Sequence, residues 1–99
     1  MKRGYWILKN KKPIHTEDIH IWGRFFEDIN NRRVAMDILP NGKKVSTVFL
    51  GIDHNFGEGD PHLFETMVFD KDSKDEEVER CSTWEQAEEM HRRMVDKYK

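Results

Sequence analysis

A chain of ninety-nine residues, 36% apolar and 11% aromatic, holds one domain with a single compact core. No apolar run approaches the ~18 residues of a membrane span. Residues 1–12 are basic with no apolar stretch behind them, which argues against a secretory signal, and the lone Cys81 excludes a disulfide scaffold. The expectation is one cytoplasmic domain spanning residues 1–99.

The net charge of −2 hides an asymmetry. Residues 1–50 hold ten Lys and Arg against five Asp and Glu, whereas residues 51–99 hold seven against fourteen. Two readings follow. The halves complement each other across the fold or across a dimer, or the first half forms a basic face for phosphate-bearing ligands. The acidic overall balance argues against a duplex-DNA binder.

In chain order, residues 5–8 read as a strand, and Asn10-Lys11-Lys12-Pro13 as a turn. Thr16 is the expected N-cap of a helix, with Glu17 and Asp18 in its first turn. Ile19, Trp22, Phe26 and Ile29 form its apolar stripe, flanked by Phe25. Residues 33–39 suit a strand with Val34, Met36 and Ile38 on one face. Pro40-Asn41-Gly42 signals a turn into a hairpin. Residues 45–52 form the clearest strand, with Val45, Thr47 and Phe49 facing one way. A ten-residue loop spans 53–62. Strands are expected at 63–69 and 77–81, separated by a polar turn. Ser82 with Glu85, and Thr83 with Gln86, offer overlapping capping boxes for a closing helix. Its buried stripe is Trp84, Ala87, His91, Met94, Val95 and Tyr98. The architecture is α+β: an antiparallel sheet of four to five strands with two helices packed on one face.

Three features carry candidate chemistry. The 53–62 loop is longer than a hairpin needs, and it crowds Asp53, His54, Asn55, Asp60 and His62 around Phe56. Its His and Asp residues are acceptable cation ligands, but no recognised ligand spacing is present, so no metal or cofactor is expected. Glu65 shares a strand face with Leu63, Met67 and Phe69, where an acid needs a partner or a raised pKa. His91 falls near the centre of an apolar helical stripe. A Glu65–His91 pair beside the loop would be a proton-transfer unit. Thr47 interrupts the apolar face of the opposing strand.

The run Val45-Ser-Thr-Val-Phe-Leu-Gly-Ile-Asp-His-Asn-Phe-Gly57, with Leu63-Phe-Glu-Thr-Met-Val-Phe69, resembles a family of small proteins encoded by phages, prophages and related bacterial elements. Arg33-Val-Ala35 and Thr83-Trp-Glu-Gln-Ala-Glu-x-Met-His91 belong to the same resemblance, which covers about residues 5–95. It implies an accessory protein acting on host pathways, including defence, and carries over no catalytic residues.

Three functions compete. The first is a homodimeric binding protein that sequesters a nucleotide-like, phosphate-bearing ligand. Its site residues would be Trp22, Arg24, Arg33, Thr47, Asp53, His54, Asn55, Phe56 and His62. The second is a hydrolase of a nucleotide or phosphodiester, with His54, Glu65 and His91 in acid–base roles. The third is an inhibitor that binds a host protein.

Overall fold

The computed structural model describes residues 4–55 and 57–99. Phe56, placed by the sequence in the ligand loop, lies outside the described residues. The elements run β1 (Tyr5–Lys9), β2 (Lys12–Thr16), α1 (Ile19–Glu27), a 3-10 turn (Ile29–Asn31), β3 (Arg33–Ile38), β4 (Lys44–Phe49), β5 (Phe64–Phe69), β6 (Asp75–Cys81) and α2 (Trp84–Tyr98). The fold is α+β. β3-β4-β5-β6 form one antiparallel meander in spatial order, and β1-β2 form a separate hairpin.

The segment around residues 10–18 departs from the sequence expectation. Asn10 and Lys11 both adopt left-handed backbone, with φ of 51° and 67°. Two such residues make a tight turn whose twist matches its strands, so the chain returns as β2 instead of entering a helix. Tyr5 pairs with Thr16 and Lys9 with Lys12. Pro13 is tolerated because a two-stranded ribbon has only edge strands. The helix therefore starts later. Asp18 is its N-cap, accepting from the His20 and Ile21 amides at 2.9 and 3.3 Å. Thr16 caps nothing helical; its Oγ1 accepts from the Asp18 amide.

The α1 stripe is also rearranged. Phe25, expected at its flank, joins the core beside Phe49. Ile19 and Ile29 are exposed. Trp22 and Phe26 leave the core and cover the start of the 51–62 segment. Gly51 explains the close fit: its φ is +76°, and a Cβ there would lie 3.0–3.1 Å from the Trp22 and Phe26 rings.

One face of the sheet holds the core. Val45, Thr47 and Phe49 of β4 and Phe64, Thr66 and Val68 of β5 are buried. α2 lies across them with Ala87, Met90, His91 and Met94 buried. Its N-terminus carries the Thr83–Gln86 capping box. Trp6 and Leu8 of the hairpin, and Phe25 of α1, close the same layer at the Phe49 and Phe64 end. A bulge between Arg33 and Ala35 splits the expected β3 face. Val34 turns to the core, while Met36 and Ile38 face outward and stay exposed.

Candidate functional site

The residues singled out by sequence fall into separate places. Glu65 and His91, expected to converge, lie on opposite faces of the sheet. Glu65 is outward on β5, where its Oε2 accepts from Arg80 Nε at 2.9 Å. His91 is inward on α2, and its partners are Thr47 and Asp37. The period-2 alternation of β5 is the cause: Thr66 occupies the inward position next to Glu65.

Around His91 the side chains form a four-member chain. Thr66 Oγ1 is 2.5 Å from Thr47 Oγ1. Thr47 Oγ1 is 2.7 Å from His91 Nδ1, and His91 Nε2 is 2.7 Å from Asp37 Oδ2. A neutral imidazole satisfies every link: Thr66 donates to Thr47, Thr47 donates to Nδ1, and Nε2–H donates to the carboxylate. Sequence reasoning marked Thr47 and His91 but missed Asp37. The available signal was its register, since Asp37 pairs with Val45 and so shares the inward face. Hydroxyl, imidazole and carboxylate in this order are the parts of a nucleophilic triad. Thr47, however, is fully buried beneath α2 and does not line the groove between β6 and α2. The chain acts as a polar clamp inside the core.

The 53–62 loop holds itself together. Asp53 Oδ1 accepts from the Asn55 and His62 amides at 2.7 and 2.8 Å. The His54 amide donates to the His62 carbonyl. Asn55 Nδ2 donates to the Glu58 and Asp60 carbonyls, and its Oδ1 accepts from the Gly57 amide. Asp53 and Asn55 thus tie the loop's backbone, as turn-forming residues do. Among the described residues no three His, Cys, Asp or Glu side chains gather as a cation's ligand set.

The aromatic surplus is also occupied. Trp22 stands between Tyr5, at 4.8 Å between ring centroids, and Phe26, at 4.6 Å. The Arg32 guanidinium lies 3.9 Å over the Phe26 ring, and Trp22 Nε1 donates to the Gly51 carbonyl at 3.1 Å. Phe26 stacks on the Trp22 ring and Tyr5 packs against it at a tilt. Arg24 is exposed on α1 and Arg33 is exposed at the start of β3.

A groove of about 590 Å³ lies between β6 and α2. Cys81 supplies apolar surface to it, Met90 lies almost wholly buried beneath it, and His62 also borders it. Glu79, Glu85 and Glu89 outnumber Arg93 along it, because the Arg80 guanidinium turns to Glu65 on the opposite face of the sheet. Both arginines already have carboxylate partners, Glu65 and Glu79. Burial pushes the Cys81 thiol up to about 11, so it is protonated at neutral pH. Farther along, Glu77 accepts from Lys97 at 2.7 Å and from the Tyr98 hydroxyl at 2.6 Å. These bonds hold the Glu77 carboxyl below its usual range and raise Lys97 and Tyr98. Sequence reasoning missed this groove, because nothing local marks two distant segments as neighbours.

No protein-family model matches the chain, and comparison with curated proteins and with solved structures finds no match. No helix among the described residues is long and apolar enough to cross a membrane.

Proposed function

We propose that this chain is a protein-binding module that takes an extended, basic segment of a partner along the free edge of β6. The supporting observation is the pairing of an edge strand with a groove between that strand and a helix. β6 ends the sheet order, and the groove runs between it and α2. An edge strand offers backbone donors and acceptors to an added strand, while the flanking groove receives alternate side chains. That division supplies affinity through the main chain and selectivity through the groove.

The charge on this side selects the partner. On this face β6 carries Glu77 and Glu79, which pair with Lys97 and Arg93, and the helical wall carries Glu85 and Glu89, with Glu89 beside Arg92. Acidic side chains disfavour pairing between two β6 edges, a common protection of exposed strands. The same charges favour a segment bearing Lys or Arg. Apolar side chains of that segment would reach Cys81. The resemblance to phage-encoded accessory proteins fits this reading, with the captured segment belonging to a host factor. The phosphate-bearing ligand has less support, because Arg24 and Arg33 stand on separate elements and the groove's carboxylates oppose an anion.

The test is an anisotropy titration with labelled extended peptides of inverted charge pattern, alongside a nucleotide panel. The basic peptide binds, and binding weakens as salt rises. Joint Glu85→Lys and Glu89→Lys substitution lowers its affinity roughly tenfold or more. Equal binding of the acidic peptide, or tight binding of a nucleotide instead, would overturn the reading.

A further inference from the structure

The sheet face opposite α2 is uncovered, and its register makes it legible row by row. Across the strands one row reads Arg33, Val48, Glu65, Arg80. The middle row reads Met36, Ser46, Met67, Val78. The third reads Ile38, Lys44, Phe69, Asp75. Val48, Met36, Met67, Val78, Ile38 and Phe69 thus put apolar side chains, interrupted by Ser46 and Lys44, on a face that a two-layer domain ordinarily gives to solvent and polar residues. Met36 is 42% exposed, Ile38 72% and Val78 40%. Exposed apolar surface of this kind marks an interaction site.

We propose that this face is covered by the same face of a second copy of the chain. A closed two-fold dimer that keeps the strands of its two sheets aligned packs the face on itself in one of two ways. With the axis parallel to the strands, β3 lies over the partner's β6. Arg33 then meets Arg80 of the other copy twice, and Ile38 meets Asp75. With the axis across the strands, each strand lies over its own counterpart and the middle row packs on itself. Met36, Met67 and Val78 then form the dry centre. The outer rows meet each other, so Arg80 stands over Asp75 of the other copy, and Glu65 stands beside Lys44. Both contacts occur twice. Like charges oppose the first arrangement and opposite charges favour the second.

The area sets the strength. Four strands at ~4.8 Å spacing and six residues at ~3.4 Å rise give roughly 400 Å² of projected sheet per copy. Two such faces give roughly 800 Å² in projection, below the ~1,200 Å² at which stable specific interfaces begin and in the range of weak, transient ones, which corresponds to a readily dissociating dimer. The groove between β6 and α2 is on the other side of the sheet and stays open in the dimer. The two proposals therefore stand or fall separately.

Sedimentation equilibrium tests the pairing. The wild-type chain shows a concentration-dependent monomer–dimer equilibrium. Met67→Lys abolishes the dimer while circular dichroism shows the fold retained. Asp75→Arg alone and Arg80→Asp alone each weaken it roughly tenfold by setting like charges face to face. An equal mixture of those two variants regains it, because every contact in the mixed dimer is again between opposite charges. Arg80→Asp also breaks the pair with Glu65, so its thermal unfolding is followed separately. A chain that stays monomeric at millimolar concentration overturns the proposal. So does a dimer that persists in Met67→Lys, or a mixture that fails to regain what each variant lost.

Discussion

His91 Nε2 on α2 lies 2.7 Å from Asp37 Oδ2 on β3, joining the covering helix to an edge strand of the sheet. The imidazole is buried, whereas the carboxylate is 56% exposed. Behind the ring the contact continues into Thr47 and Thr66 at the centre of the core. A helix packed only by apolar contact can slide across a sheet. This directional chain ties α2 to β3, β4 and β5, beside the contacts of Arg93, Lys97 and Tyr98 that tie it to β6.

Interrupting that chain destabilises the fold. Thr47→Val leaves His91 Nδ1 and the Thr66 hydroxyl facing an apolar group, at a cost of about 1–3 kcal/mol. Adding Thr66→Val removes one stranded hydroxyl and recovers part of the loss. Urea unfolding with unchanged m-values measures both. Additive losses in the double variant would show that the two hydroxyls are not coupled.

The attachment of α2 to β6 depends on pH at both ends. Glu77 has a carboxyl pKa lowered from 4.5 on folding. Its contribution is therefore present above about that value and lost as pH falls through the lower folded value. Tyr98 and Lys97 are raised from 10.0 and 10.5, so theirs is present below those values and lost as pH rises through the folded ones. Unfolding midpoints across pH follow this pattern, and Glu77→Gln flattens both limbs at this contact. Identical profiles for the variant and the parent would contradict the assignment.

Cys81 resists alkylation. With its thiol pKa raised to about 11, the native protein reacts slowly with iodoacetamide near pH 8 and accelerates only at strongly alkaline pH. The chain unfolded in denaturant reacts at the rate of an ordinary thiol. Equal native and unfolded rates at pH 8 would refute the burial that lines the groove.

Gly51 is intolerant of a side chain. Gly51→Ala places a Cβ in left-handed backbone and against Trp22 and Phe26. The conformational part alone costs about 1–2 kcal/mol. Thermal unfolding reads the loss, and a change in tryptophan emission reports the displaced Trp22 ring.

Much of the sheet was legible in the sequence, because burial alternates residue by residue along β4 and β5. The capping box at Thr83 was legible because it is local. β2 was not: its turn is Asn10-Lys11, without the glycine that usually announces such a turn. Met90 was missed in the α2 stripe, although it is almost fully buried. The candidate site was the least legible part. Polar residues of the 53–62 loop look like ligand groups until their backbone partners are known. The groove exists only once β6 and α2 are side by side.

The central claim is that a partner segment adds to β6, and amide hydrogen exchange tests it most directly. With a bound basic peptide, β6 amides that exchange freely at the sheet edge become protected, and the α2 residues lining the groove shift with them. Protection confined to the 53–62 loop or to α1, or no change along β6 at saturating peptide, would contradict the account.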